Sequence, residues 1–406
     1  MNIALLQFRK NLIPAQLLAA LMAEDSLTVI TEPDTKQVFD PRVEVHLVAD
    51  SRNVELVKAT LIGIMRQRHI DQLVTPFERN QITGGYLRSL LGLPGRDFET
   101  SNNCANKYAM KLRYRDAGIP TTDFGIAYGL DEIVVVAEHI GWPVVVKPVI
   151  GGGGNHVVSF PNAEAFHQFA GSKKAEAMTA LDLPFIVERF VDMSGEYHCD
   201  AVVWDGSVEF VVASRYLSPL LGCDKNLNGS YFLPRDSADA KAIVKLHARA
   251  VEAIGLASGV THMELFKTAD GFLAGEIAGR VAGGGIAEAI DMRHGVDLWL
   301  ASLAIAYGRR PRIAPRESDE ILVNYLLPVS PGTVRRISTK EELLALPGVI
   351  RVDITKKVFD TIPNELDTSS SSGIVYVSVP SEQLVNTTIR RIASSFYLEV
   401  DVPALA

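Results

Sequence analysis

Cysteine is scarce in this chain: Cys104, Cys199 and Cys223 are the only three in 406 residues. They are odd in number and scattered, which excludes a disulfide framework and any metal-ligand spacing, and points to a reducing compartment. No apolar run is long enough to cross a bilayer. Basic clusters are few and the formal charge is −8, so the positive stripe that a nucleic-acid surface needs is missing. The opening residues, Met1-Asn-Ile-Ala-Leu-Leu-Gln-Phe8, lack the charged-then-apolar pattern of an export signal and read as a first strand. These absences together give the expectation of a cytoplasmic protein with neither membrane nor nucleic acid as partner. Two fingerprints are also missing. The glycines of the first hundred residues form no dinucleotide motif, and no glycine loop is followed by Lys-Ser/Thr as in a Walker A sequence.

What is present is a globular composition, 47% apolar and 22% charged, on a chain long enough for two to four domains. Residues 1–98 alternate short apolar strands with helical stretches such as Asn53 to Arg68, which predicts a parallel α/β domain. Further along, Ala240 to Ile254 and Ile286 to Tyr307 read as helices, with Ile243, Leu246, Ala250, Ile254, Trp299 and Leu303 assigned to the core. Residues 311–406 change to short alternating strands, the turn Ser330-Pro-Gly332 and a helix near Ser381 to Ser394, predicting an α+β cap. Its Ser369–Ser372 run reads as an exposed loop. The fold class is therefore α/β and α+β multidomain.

The most informative segment runs from Gly259 to Gly285. It reads as a strand, a turn at Asp270-Gly271, a second strand and a glycine-rich bend. Each strand carries one carboxylate among apolar neighbours, Glu264 and Glu276, and pairing brings both to one face of a hairpin. Two such acids repel unless a cation sits between them, and a hard divalent ion with phosphate oxygens suits them. Arg280 follows, with a planar fork for phosphate or carboxylate. Taken alone, the segment reads equally well as two solvent-facing acids with Arg280 as their ion-pair partner. The glycines Gly283, Gly284 and Gly285 precede a helix whose free N–H groups could seat a substrate anion, or they form a plain hinge.

Three further segments tip the balance towards function. Val144-Val-Val-Lys147-Pro148 ends a β-branched run in a lysine, and Gly151-Gly-Gly153-Gly154 follows. Glycines let backbone N–H groups approach phosphate, and a buried ammonium needs a partner. Glu188-Arg-Phe190-Val191 leaves a strand as a connector lined by Phe and Val that suits a purine, and an alternating strand starts near Glu196. Lys107 and Lys111 share one face of a helix expected from about Cys104 to Ala117, a pattern that alone would be a solvated surface.

In order and approximate spacing these motifs resemble the ATP-grasp superfamily over roughly residues 100–310. The resemblance covers Asn106-Lys107, Val-Lys147-Pro with its glycine loop, Glu188-Arg-Phe-Val191, Gly195-Glu196, and Glu264 with Glu276-Ile-Ala-Gly-Arg280. It implies a pre-ATP-grasp domain at 1–98, a small lobe at 99–183, a large lobe at 184–310 and ATP with Mg²⁺ or Mn²⁺ as cofactors. It implies that Lys107, Lys147, Gly151, Gly153 and Gly154 meet the phosphates. Glu188, Phe190 and Val191 would meet adenine, Glu196 the ribose, and Glu264 and Glu276 the metal. Arg280 would stabilise an acyl phosphate or grip the carboxylate. The chain departs from the pattern at Ala278, where Asn is frequent and ligates metal, at Asn106 in place of Asp, and at Gly154-Asn155 in place of serine. The tail is similar to that of amino-acid ligases and biotin-carboxylase-like relatives, but no Met-Lys-Met carrier site is present.

The implied activity is a carboxylate–amine ligase that acts through an acyl phosphate on small molecules, one of them an amino acid, in a homodimer as relatives often are. A bicarbonate-using carboxylase and a non-catalytic nucleotide-binding subunit are the alternatives. Glu78 follows a strand of the first domain, where it either binds an amine or caps a helix. His262 reads as a core histidine bonded to a backbone carbonyl. His156, beside the glycine loop, reads as exposed or functional, and Ser214-Arg215-Tyr216 as a segment that could face substrate.

Overall fold

A computed structural model describes residues 1–401 apart from 10, 24–25, 222–226, 317–319 and 369. Cys223 and Ser369 lie outside the described residues. The first sheet is parallel, built from β1 (Asn2–Leu6), β2 (Ser26–Thr31), β3 (Glu44–Leu47) and β4 (Gln72–Val74) in the order β3-β2-β1-β4. Its middle strands are buried along almost their whole length, with side chains of both faces in hydrophobic clusters, as the α/β expectation requires. The strand order reverses between β1 and β4, so residues leaving β4, Glu78 among them, emerge at the crevice where such sheets hold ligands.

A second, antiparallel sheet of four strands follows, β5 (Phe124–Ala127), β6 (Val144–Pro148), β7 (Val158–Phe160) and β8 (Phe185–Arg189), ordered β5-β8-β6-β7. The remaining strands are β9 (Gly195–Trp204), β10 (Ser207–Tyr216), β11 (Asn228–Phe232), β12 (Gly259–Thr268), β13 (Gly271–Ala278), β14 (Ile321–Leu326), β15 (Gly332–Ile337), β16 (Val349–Ile354), β17 (Thr361–Ile362), β18 (Gly373–Val379) and β19 (Leu398–Asp401). Eight of them form one sheet, β13-β12-β9-β10-β11-β14-β18-β16, while β15, β17 and β19 make a small fourth sheet. Hydrogen bonding thus crosses residue 310 without a break, since β11 pairs with β14 over Asn228–Tyr231. The division of the chain at 310 follows its texture rather than its sheets. Together these sheets form a mixed α/β and α+β architecture with an N-terminal parallel domain and a large antiparallel sheet. Among the described residues no helix is long and apolar enough to cross a membrane.

Two helices differ from expectation for local reasons. The lysine-bearing helix starts at Lys107, not Cys104, because the Asn106 side chain accepts hydrogen bonds from the Tyr108 and Ala109 N–H groups and caps it. The apolar run from Ile286 to Tyr307 is two helices, Ile286–His294 and Leu298–Ala306. Gly295 closes the first at φ 68°, and Asp297 caps the second.

Gly229 sits where the chain's middle and C-terminal strands meet. Its φ is 143°, and a Cβ there would lie 2.1 Å from the Asn324 carbonyl oxygen across the β11–β14 pair. Because that atom belongs to backbone, relief requires moving a strand. Gly229→Ala is expected to cost about 3 kcal/mol or more, read as a fall in the urea midpoint with unchanged slope. A midpoint within error of wild type would show that the junction tolerates a side chain.

Candidate nucleotide and substrate site

Two elements, one strand and one helix, bring two lysines, Lys147 and Lys107, to the wall of one cleft. Lys147 lies near the end of β6, on the same face as Glu188 of the neighbouring β8, whose register sets Val145 opposite Glu188. The helix Lys107–Asp116 docks on the same strand end: the Lys107 N–H donates to the Val149 carbonyl at 2.8 Å, and its Nζ donates to the Gly151 carbonyl at 2.6 Å. Lys107 is 5% exposed and Lys111 fully covered, so the solvated-surface reading of this helix does not hold. Burial of both cations follows from what packs over them, which helical periodicity does not report.

The carboxylates come from the facing sheet. Glu264 of β12 and Glu276 of β13 both line the cleft, their side chains 28% and 26% exposed. Glu276 lies 2.6 Å from Lys147 Nζ and 3.3 Å from Lys107 Nζ, and Lys147 lies 3.3 Å from Glu188. One ion pair therefore bridges the small sheet to the large one. Burial opposes ionisation of Glu276, but Lys107 and Lys147 outweigh it and hold its carboxyl well down in the acidic range. Glu264 has no such partner: burial first, then the Glu276 charge, pushes it up. Burial likewise raises Glu196, whose carboxylate accepts the Leu220 N–H at 2.7 Å. A carboxyl pushed up beside a second acid marks a place where positive charge is wanted. The donor set, carboxylate oxygens without sulfur, fits a hard divalent ion.

The remaining wall is built from both ends of the chain. Glu78 opens a short 3₁₀ turn after β4 and pairs with Arg280, Nη2 to Oε2 2.8 Å and Nε to Oε2 2.9 Å. Gly279, just before Arg280, is held through its carbonyl by Gln81 Nε2 and Arg96 Nη2, each at 2.8 Å. The glycine loop faces Glu78 on one side. On the other, the Thr368 N–H donates to the Gly153 carbonyl at 3.2 Å, and Asn228 Nδ2 donates to the Thr368 carbonyl at 3.0 Å.

Of the residues singled out in the sequence, Lys107, Lys147, Gly151, Gly153, Gly154, Glu188, Phe190, Val191, Glu196, Glu264, Glu276, Arg280 and Glu78 all line this one cleft. Gly283, Gly284 and Gly285 do not. Gly285 packs on Ile374 and Tyr376, and the Gly284 carbonyl accepts from Asn324 Nδ2 at 2.9 Å. His156 is exposed at the loop's end. Arg215 lies over the Tyr197 ring, and Ser214 is buried.

The residues that sequence reasoning missed are Asp200 and His198. His262 is bonded to a carboxylate, not to a backbone carbonyl: Asp200 Oδ1 lies 2.9 Å from its Nδ1, and Asp200 Oδ2 lies 2.6 Å from His198 Nδ1. All three are buried, and His262 reaches the cleft with Tyr216 Oη 3.4 Å from its Nε2. The β9–β12 register sets His262 opposite Asp200 and Glu264 opposite His198, so the alternations His-Cys-Asp and His-Met-Glu were the available signal. At 2.6 and 2.9 Å these contacts are hydrogen bonds that lock the His262 ring.

The comparisons agree with this geometry. The ATP-grasp domain profile matches residues 112–290. An L-arginine-specific L-amino acid ligase of Bacillus subtilis is 29% identical over 88% of this chain and 86% of its own length. Dapdiamide A synthase of Enterobacter agglomerans is 24% identical over 96% and 94%. In fold, the crystal structure of an L-amino acid ligase from Bacillus licheniformis superposes with a TM-score of 0.77 at 20% identity, covering 99% of both chains. Residues 112–290 thus match the ATP-grasp domain, and over most of its length the chain is similar to an L-amino acid ligase and to dapdiamide A synthase.

Proposed function

We propose that this enzyme activates a carboxylate as its acyl phosphate with ATP and passes it to an amine, with an amino acid as the activated acid. The observation that carries the reading is the cluster of Lys107, Lys147, Glu276 and Glu264 facing one cleft between two sheets. Each lysine already has a carboxylate partner, so binding a metal triphosphate exchanges partners rather than burying new charge. Glu276 would turn with Glu264 to the divalent ion, and the two ammonium groups would turn to phosphate oxygens. When bound, Mg²⁺ or Mn²⁺ supplies neutralisation of the phosphate charge. The Gly151, Gly153 and Gly154 backbone closes over the phosphates and excludes water. Phe190, Val191 and the Glu188 backbone take the adenine ring, and Glu196 takes the ribose.

The substrate class follows from Glu78 and Arg280. In this structure they satisfy each other at 2.8 Å on the cleft wall. An α-amino acid brings an ammonium for the one and a carboxylate for the other, so each loses a partner and gains an equivalent one. The arginine then stands where charge develops as the carboxylate oxygen attacks phosphorus, and where the amine later attacks the acyl carbon and expels phosphate. Gly283, Gly284 and Gly285 take no part in this reading. Residence in the cytoplasm and assembly as a homodimer belong to the same reading.

Purified enzyme with MgATP should release ADP and phosphate only when an amino acid and an amine are both supplied, with a condensed product seen by mass. ADP release that instead depends on labelled bicarbonate, with fixation of the label, would replace the ligase by a carboxylase. Lys147→Ala and Glu276→Gln should each lower turnover by about a hundred-fold or more while the melting profile stays cooperative. Near-normal rates in both would mean that the nucleotide sits elsewhere. Glu78→Gln should raise KM for the amino acid by about ten-fold while leaving KM for ATP little changed; the reverse pattern would remove Glu78 from the substrate side.

A further inference from the structure

Lys111 takes no part in the site as described so far, does not line the cleft, and is completely covered. An ammonium kept out of water at that cost needs a reason. Its three N–H donors have three neighbours: Thr121 Oγ1 at 2.8 Å, Thr122 Oγ1 at 3.3 Å and Glu188 Oε2 at 3.7 Å. The other oxygen of Glu188 faces Lys147 at 3.3 Å. Groups of opposite sign therefore alternate along one line, Lys111, Glu188, Lys147, Glu276, Lys107, and although burial pulls the Lys111 pKa down, the Glu188 carboxylate opposes that fall. Lys111 is tied down at its far end, because Thr121 Oγ1 itself donates to the Ala274 carbonyl of β13 at 2.8 Å.

We propose that Lys111 is a positioning residue which, by sharing Glu188, leaves Lys147 free to turn to the nucleotide. Without Lys111, the whole charge of Glu188 falls on Lys147, the next cation, in a medium that screens it poorly. Lys147 is then drawn back along β6–β8, away from Glu276 and from the cleft. With Lys111 present, Glu188 is half-satisfied from behind and serves as a tether for Lys147 rather than a trap. A plain strut between the helix and β13 would need only the threonines and would place no carboxylate between two ammonium groups.

The proposal rests on the nucleotide reading above, and its test separates the two. Binding of MgATP is measured by calorimetry, and KM and kcat by ADP release, for wild type, Lys111→Met, Glu188→Gln and the double variant. Lys111→Met should raise KM for ATP on the order of ten-fold and lower kcat as well, with KM for the amino acid unmoved. In the Glu188→Gln background there is no charge to share. There the same substitution should change KM for ATP less than about two-fold, a clear departure from additivity. The double variant holds no unpaired buried charge, so this arm stands even where Lys111→Met alone fails to fold. A ten-fold effect of Lys111→Met in both backgrounds would make Lys111 a strut and overturn the proposal, as would wild-type constants in the single variant. Absence of MgATP binding by the wild-type enzyme would remove the nucleotide reading itself, and the role of Lys111 with it.

Discussion

The ion pair between Lys147 and Glu276, 2.6 Å across the gap between the four-stranded and eight-stranded sheets, is the contact around which the site is organised. Neither residue is tolerable alone where it lies. Burial penalises both charges, yet each is held ionised by the other and by Lys107 and Glu188, and Lys147 stays protonated well beyond its ordinary range. The pair closes the cleft electrostatically without filling it. Removing one member leaves the other with a single opposite charge, Lys107 for Glu276 or Glu188 for Lys147, whereas offering both members better partners opens the pair at little cost.

That arrangement draws on the whole length of the chain. The parallel domain contributes Glu78, the capped helix Lys107, the small sheet Lys147 and Glu188, and the β12–β13 hairpin Glu264, Glu276 and Arg280. The C-terminal segment contributes Thr368, bonded to the tip of the glycine loop. The eight-stranded sheet links these contributions, since β14, β18 and β16 extend the same hydrogen-bonded surface on which Glu264 and Glu276 stand.

Local chemistry was legible in the sequence. The Asp270-Gly271 turn announced the hairpin, the β-branched run announced the strand that carries Lys147, and five motifs in register announced the ATP-grasp domain match at 112–290. What one sequence cannot display is the partner of a charge. The segment Lys107–Asp116 has the composition of a wet helix, yet it is buried against β13 and β5. Asp200 sits in an apolar strand with no local sign that two imidazoles converge on it, because the cross-strand register that brings His262 over is set by residues some sixty positions away. The glycines at 283–285 were misleading for the same reason: Ile374 and Tyr376, nearly ninety residues on, occupy the space beside them.

The bond from Thr368 to Gly153 has a consequence for biosynthesis. Thr368 is carried by the loop between β17 and β18, and β18 is an inner strand of the large sheet, flanked by β14 and β16. A growing polypeptide therefore has every lysine and glutamate of the cleft in hand long before it can fasten the glycine flap. The ribosome delivers Thr368 after all of them, so a half-made chain holds the charges of the cleft before the hydrogen bond that tethers its glycine loop.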